Sequence, residues 1–179
     1  MKRSYVLVSL IGFGLIAIGL GCNKGKPNYS QLSEKPIDLG RYAGKWYDLA
    51  HYPNRFQKNC TQTTATYEPK DGFIQVYNYC YNDKKDKVED ITGKAFVQDY
   101  PQNKRLKVQF FWPFKGDYWI LYVDDNYELA LVGHPERTYF WVLSRKPEIN
   151  DERWQEVYAL MEEKGYDKNQ LEYTEHDIE

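Results

Sequence analysis

Histidine, cysteine and any excess of positive charge are scarce in this 179-residue chain. The three histidines, His51, His134 and His176, stand far apart, and no spacing of His and carboxylate suggests a metal site. An enzyme needs a nucleophile, a base and a stabiliser in one place, and no such constellation is visible. Lys and Arg total 24 against 26 Asp and Glu, a formal charge of -2, so nothing attracts nucleic acid. Internal repeats and low-complexity tracts are absent, and no apolar run reaches the about 20 residues of a membrane span. Aromatic residues are abundant instead. They make up 17% of the chain, with 17 tyrosines, and supply amphipathic surfaces suited to barrels and apolar pockets.

The longest apolar run, residues 5–20, follows Lys2 and Arg3 and ends at Gly21-Cys22. A basic start, a short apolar stretch and small residues before a cysteine form the pattern of a lipoprotein export signal, so residues 1–21 are expected to be removed. An ordinary secretory signal or an uncleaved anchor is the alternative, and Gly19 departs from the Leu usual three residues before the cysteine. With diacylglycerol on the Cys22 thiol and an acyl chain on its amine, each buried methylene adds about 0.8 kcal/mol of membrane affinity. Loss of Lys2 and Arg3 takes the formal charge to -4. Residues 22–36, rich in Lys, Ser, Asn, Gly and Pro, read as a lipidated tether with too little apolar surface to order itself. The remaining residues, 37–179, suffice for one domain with one core.

Cys60 and Cys80 remain, an even number in an exported chain. They lie on the arms of an expected hairpin with its turn at residues 68–72. Folding about Lys70 sets them opposite each other, although a register slip of one residue sends Cys80 to the other face. A disulfide is favoured, with two free buried thiols as the alternative.

Alternating polarity predicts strands at 46–52, 61–67, 73–79, 90–98, 105–112, 118–123, 127–132 and 138–144, separated by turn chemistry. Eight consecutive strands with short connections predict an all-β fold, an up-and-down antiparallel barrel that removes its own edges and holds one small ligand. After Pro147 the period becomes helical, with Asn150 as N-cap, an apolar stripe of Trp154, Val157, Leu160 and Met161, and Gly165 as the stop. Such a helix packs outside the barrel, and residues 166–173 add a short return segment.

Gly44-Lys45-Trp46-Tyr47 resembles the G-x-W motif of lipocalins, and Leu143-Ser144-Arg145 resembles their third motif. Thr64-Ala65-Thr66-Tyr67, Gly93-Lys94-Ala95 and Phe110-Phe111-Trp112-Pro113-Phe114 are similar to stretches of the bacterial outer-membrane lipocalins, relatives of apolipoprotein D. The middle motif is approximate, with Asp124-Asp125-Asn126-Tyr127 in place of T-D-Y. The resemblance implies that Gly44, Trp46 and Arg145 are structural, the guanidinium stacking over the indole at the closed base. It also implies an inward set of Ala65, Tyr67, Val76, Asn78, Ile91, Ala95, Leu106, Val108, Phe110, Tyr118, Ile120, Tyr139 and Trp141. That set contains no Lys, Arg, Asp or Glu and suits an acyl chain, a terpenoid or another slim apolar guest, with no cofactor. A barrel filled by its own side chains is the alternative.

Arg55, Lys58 and Lys115 are candidates at the mouth to meet a carboxylate or phosphate, or else are solvated surface charges. The function expected is binding, storage or transport of fatty acids or lysophospholipids by a protein lipid-anchored at the bacterial outer membrane and facing the periplasm. Asn23, in place of the Asp that retains such lipoproteins at the inner membrane, points the same way. Two other classes are weighed: a ligand-free structural or stress-related envelope protein, and an enzyme using a free Cys60 or Cys80, as a few lipocalin relatives do. No oligomeric state is set by these patterns.

Overall fold

In a computed structural model, residues 29–177 are described. The expected leader, Cys22 and the first half of the tether lie outside the described residues. The elements run α1 (Leu39–Tyr42), β1 (Gly44–His51), β2 (Cys60–Lys70), β3 (Phe73–Asn82), β4 (Lys87–Val97), β5 (Arg105–Gln109), β6 (Gly116–Val123), β7 (Leu129–Gly133), β8 (Phe140–Ser144), α2 (Asp151–Glu163) and β9 (Glu172–Tyr173). Consecutive strands from β2 to β8 pair antiparallel, and β1 pairs with both β8 and β2. The eight strands therefore form a closed barrel, with β9 added on the upper half of β1.

Period-2 alternation divides the side chains into two cores. Trp46, Tyr67, Val76, Ala95, Leu106, Ile120, Val132 and Leu143 point inward and pack together. Leu121, Leu131, Phe140 and Val142 point outward and are covered by Val157 and Met161 of α2. Each of these aliphatic side chains gains about 1.5–3 kcal/mol on full burial, enough to hold one helix against the wall. The Asn150 side chain accepts from the Arg153 amide at 3.0 Å to start α2, and Gly165, at φ +77°, ends it.

Some expectations need correction. Residues 29–36 do not form a free tether: Tyr29 stacks on Trp119 at 5.3 Å, and the Ser33 amide donates to the Ile120 carbonyl at 3.0 Å. Gln31 is buried, donating to the Pro135 carbonyl and accepting from the Tyr166 hydroxyl. Polar groups with specific partners, together with the apolar contacts of Tyr29 and Leu32, order this stretch. Strand β5 stops at Gln109 and not at residue 112. β7 and β8 start late because Tyr127 and Arg137 take positive φ of 60° and 56°, which breaks the ladder.

The β2–β3 turn tightens to Asp71-Gly72, with Gly72 at φ +79° and Lys70 paired with Phe73. A bulge between Thr61 and Thr64, with Gln62 at φ 50°, then resets the register. Cys60 and Cys80 are joined by a disulfide on the inner face, their Cα atoms 5.5 Å apart.

The base is held by one cation. Arg145 lies 3.8 Å over the Trp46 ring and donates to the carbonyls of Lys45 (2.7 Å), Ala43 (2.8 Å), Arg41 (2.9 Å) and Tyr127 (3.1 Å). Gly44 adopts φ +95°, and a Cβ there would stand 3.3 Å from the guanidinium.

Arg145→Ala is expected to cost about 3 kcal/mol in urea unfolding, and Arg145→Lys to recover only part, because an ammonium cannot fan out to these carbonyls. An unchanged midpoint for Arg145→Ala refutes this role. The disulfide closes a loop of 20 residues, so the double replacement Cys60→Ala/Cys80→Ala is expected to lose about 3 kcal/mol while keeping the β circular-dichroism signature.

Candidate functional site

The barrel is closed at one end by aromatics. The Tyr118 hydroxyl lies 2.7 Å from those of both Tyr42 and Tyr67, and the Trp46 indole donates to the Tyr42 carbonyl at 2.8 Å. Burial raises all three phenol pKa values above the ordinary tyrosine range, so the hydroxyls stay neutral and form a short hydrogen-bonded chain.

Above this plug the inner wall is half-exposed in a graded way. Of the residues picked from sequence, Tyr67, Val76, Ala95, Leu106 and Ile120 are buried in the inner core. Ala65, Val108, Phe110, Tyr118 and Trp141 pack against it while remaining partly exposed. Asn78 pairs with both Ala65 and Ile91, which places these three side by side on the inner face. Tyr139 stacks on Trp141 at 5.8 Å, and Phe56 approaches it at 6.5 Å. Inward residues that keep solvent exposure in a closed barrel mark a lumen open at one end. The Phe110 ring lies against Gly93, where a Cβ would come within 2.6 Å of it, so glycine gives the ring its place.

The open end carries the loops at 52–59 and 110–115. Phe56, Phe111, Trp112 and Phe114 are 63%, 67%, 86% and 76% exposed, an unusual concentration of aromatic surface. The three mouth cations do not converge. Arg55 lies over the Phe56 ring at 4.9 Å and Lys115 over Phe96 at 4.3 Å, while Lys58 is exposed on the loop that carries Arg55.

An acidic residue outside the set picked from sequence also faces inward. Asp48 follows Trp46 by two on β1 and is only 2% exposed. Its Oδ2 accepts from Gln57 Nε2 at 2.5 Å and from His51 Nδ1 at 3.1 Å. Gln57 in turn accepts from the inward Trp141 indole at 2.8 Å and from Asn54 at 2.7 Å. Burial alone lowers the His51 pKa, yet the hydrogen bond to Asp48 and its charge outweigh that, with Glu172 adding, and leave it raised. A bulge in β1 between Asp48 and Ala50 keeps both Asp48 and His51 turned toward the inner face. Counting in twos from Trp46 was the signal for Asp48; the bulge that turns His51 had none.

The tail of the chain completes the wall. β1 and β2 pair only from Gly44–Tyr67 to Tyr47–Thr64, and above that point they part. Residues 172–177 occupy the gap, with the Thr174 amide donating to the Leu49 carbonyl at 3.0 Å and the Gln62 amide to the Glu175 carbonyl at 2.7 Å. Two depressions lie on the outer surface, away from the lumen. One of about 170 Å³ is lined by Glu128, Lys146 and Arg153, and one of about 500 Å³ by Thr61, Tyr81 and His176. Among the described residues no group of His, Cys, Asp and Glu is arranged to hold a metal ion, and no helix is long and apolar enough to cross a membrane.

A family model described as a lipocalin-like domain matches residues 37–176. The chain is 37% identical over 153 residues to outer membrane lipoprotein Blc of Citrobacter freundii, covering 85% of this chain and 86% of that protein. It is 38% identical over 151 residues to temperature-induced lipocalin-1 of Arabidopsis thaliana, covering 78% and 80%. Among solved structures, insecticyanin from the tobacco hornworm Manduca sexta superposes with a TM-score of 0.66 at 18% identity, covering 80% of this chain and 82% of that one, a likeness of fold. By its family match, its relatives and its closed eight-stranded barrel, the chain belongs to the lipocalins, a family of binding and transport proteins for small hydrophobic ligands.

Proposed function

We propose that the barrel binds and stores or moves single-chain lipids, fatty acids or lysophospholipids, at the bacterial cell envelope. The observation that carries this reading is the half-exposed apolar row of Ala65, Ile91, Val108, Phe110 and Trp141 above a sealed base. It offers an acyl chain apolar burial worth about 0.8 kcal/mol per methylene. A slim, unbranched chain suits a lumen whose floor is already filled by Tyr42, Tyr67 and Tyr118. The relatives named outer membrane lipoproteins support an outer-membrane location. With Cys22 as the lipid anchor, we place the domain at the periplasmic face of that membrane.

The exposed aromatics at the mouth fit the same reading. Phe111, Trp112 and Phe114 beside Lys115 combine apolar rings with a cation, the composition found where protein meets the headgroup layer. A guest leaving the bilayer there would reach the lumen without crossing bulk water. Arg55 and Lys58, exposed on one loop of that end, would be the groups to meet a phosphate.

Native mass spectrometry of the full-length protein, followed by organic extraction, is expected to find one acyl species per chain. An empty barrel that also refuses added palmitate and lysophosphatidylethanolamine points to a guest-free envelope role instead. Val108→Glu, which places an unpaired charge among apolar side chains, and Trp141→Glu, which sets a second carboxylate beside the Gln57–Asp48 pair, are each expected to weaken binding at least about tenfold. Variants that fold normally and bind unchanged refute the lumen as the site.

A further inference from the structure

Two of the chain's three histidines, His51 and His176, meet where residues 172–177 fill the side of the barrel. The β1–β2 ladder ends at Tyr47–Thr64, so Asp48 and Thr63 stand where the two strands part. On the β1 side the filling segment is strand-paired: Tyr173 with Ala50, Glu172 with His51, and the Thr174 amide donating to the Leu49 carbonyl. On the β2 side it is held through Gln62, whose amide donates to the Glu175 carbonyl and whose side chain donates to Asp177 at 2.6 Å. Gln62 lies in the bulge at φ 50°, outside the regular ladder. A segment laddered on one edge and held by a bulge residue on the other is the weak point of the wall.

The segment is also acidic. Glu172, Glu175 and Asp177 lie along a wall whose own buried charge is the Asp48 carboxylate. Among the described residues the ion-pair partner of these three is His51, its Nε2 4.0 Å from Glu172 Oε2, while Lys45 lies over the Tyr47 ring instead. His51 Nδ1 donates to Asp48 Oδ2 at 3.1 Å, with Thr174 Oγ1 3.4 Å from the same nitrogen. Asp48 from its own strand and Glu172 from β9 are thus the charged groups that face this imidazole, and Trp141, opposite it on β8, is neutral. His176 Nε2 stands 2.9 Å from the Asp48 carbonyl oxygen, which only accepts, so that nitrogen carries a proton and needs no charge to make its bond.

His51 is different. Protonated, it is a cation between two carboxylates. Neutral, it keeps its Nδ1 proton for Asp48 and turns a bare Nε2 lone pair toward Glu172, so that attraction gives way to repulsion. Against the cost of burial, the hydrogen bond and charge of Asp48, with Glu172 adding, hold the His51 pKa above its ordinary value. The stability this contributes is complete below the ordinary histidine range and is lost as the pH climbs through the raised value.

We infer that residues 172–177 are a strap on the side of the barrel, closed across the β1–β2 gap while the His51 imidazolium bridges Asp48 to Glu172 and released when that proton leaves. Tyr173, packed edge-on against Trp154 and hydrogen-bonded to Tyr158 of α2, stays as the pivot. With residues 174–177 swung away, nothing pairs with β1 and β2 above Tyr47 and Thr64, and the lumen opens sideways as well as at its mouth.

Hydrogen exchange of the full-length protein in lipid nanodiscs, read by mass spectrometry, tests the strap. Protection of peptides covering residues 172–177 is taken as a ratio to that of β7, which cancels the intrinsic pH dependence of exchange. Between about pH 5.5 and about pH 8.5 the native ratio is expected to fall at least about fivefold. His51→Gln, which keeps a donor for Asp48 and has no titrating proton, is expected to hold the ratio level. Glu172→Gln, at a side chain 61% exposed, is expected to shrink the fall to about half or less, and decides the matter if circular dichroism shows His51→Gln to be misfolded. A native ratio that stays level with pH, or a fall that the variants leave unchanged, overturns the strap.

Discussion

The whole barrel depends on a guanidinium. Arg145 gathers carbonyls from α1, from the start of β1 and from the approach to β7, and covers the face of Trp46. These carbonyls come from segments that do not pair with one another, so no β-ladder could satisfy them together. A planar group with five donors does so from a single position. The consequence spreads upward: with Trp46 pinned, Tyr42 and Tyr118 are set in place, and the tyrosine chain seals the floor. Everything above that floor is free to vary in shape, because the closure no longer depends on it.

The two ends thus follow different physics. At the base, aromatic rings and neutral phenols pack without solvent. Toward the mouth, the strands β1 and β2 separate, polar residues enter the inner wall, and the disulfide ties β2 to β3 beside the bulge. Asp48, His51 and Gln57 form a buried polar network there, which an apolar pocket has no need of for stability.

Much of this was legible in the residues. Strict alternation in β3 and β4 fixed which side chains share a face, and the stripe of α2 with Asn150 before it predicted both the helix and its docking surface. The four-residue α1 was not legible, being too short for any period. Nor was the order of residues 29–36, which comes from Gln31 and Ser33 finding distant partners. In the site, Val76, Leu106 and Ile120 followed from parity once the lipocalin resemblance supplied the inward face, whereas the placing of Asp48 beside Thr63 needed the register. Asp48 and Thr63 are ordinary polar residues in a sequence, and they become inward neighbours only through the parting of two strands and a left-handed Gln62.

The tail in the β1–β2 gap sets an order of events. Residues 172–177 supply the last backbone hydrogen bonds beside β1 and close to His51 and Asp48. They are also the last of these segments to be synthesised. The barrel wall is therefore incomplete until this segment docks, and a guest taken up earlier would sit behind an unfastened seam. Until that seam is fastened, the lumen stays open along one side.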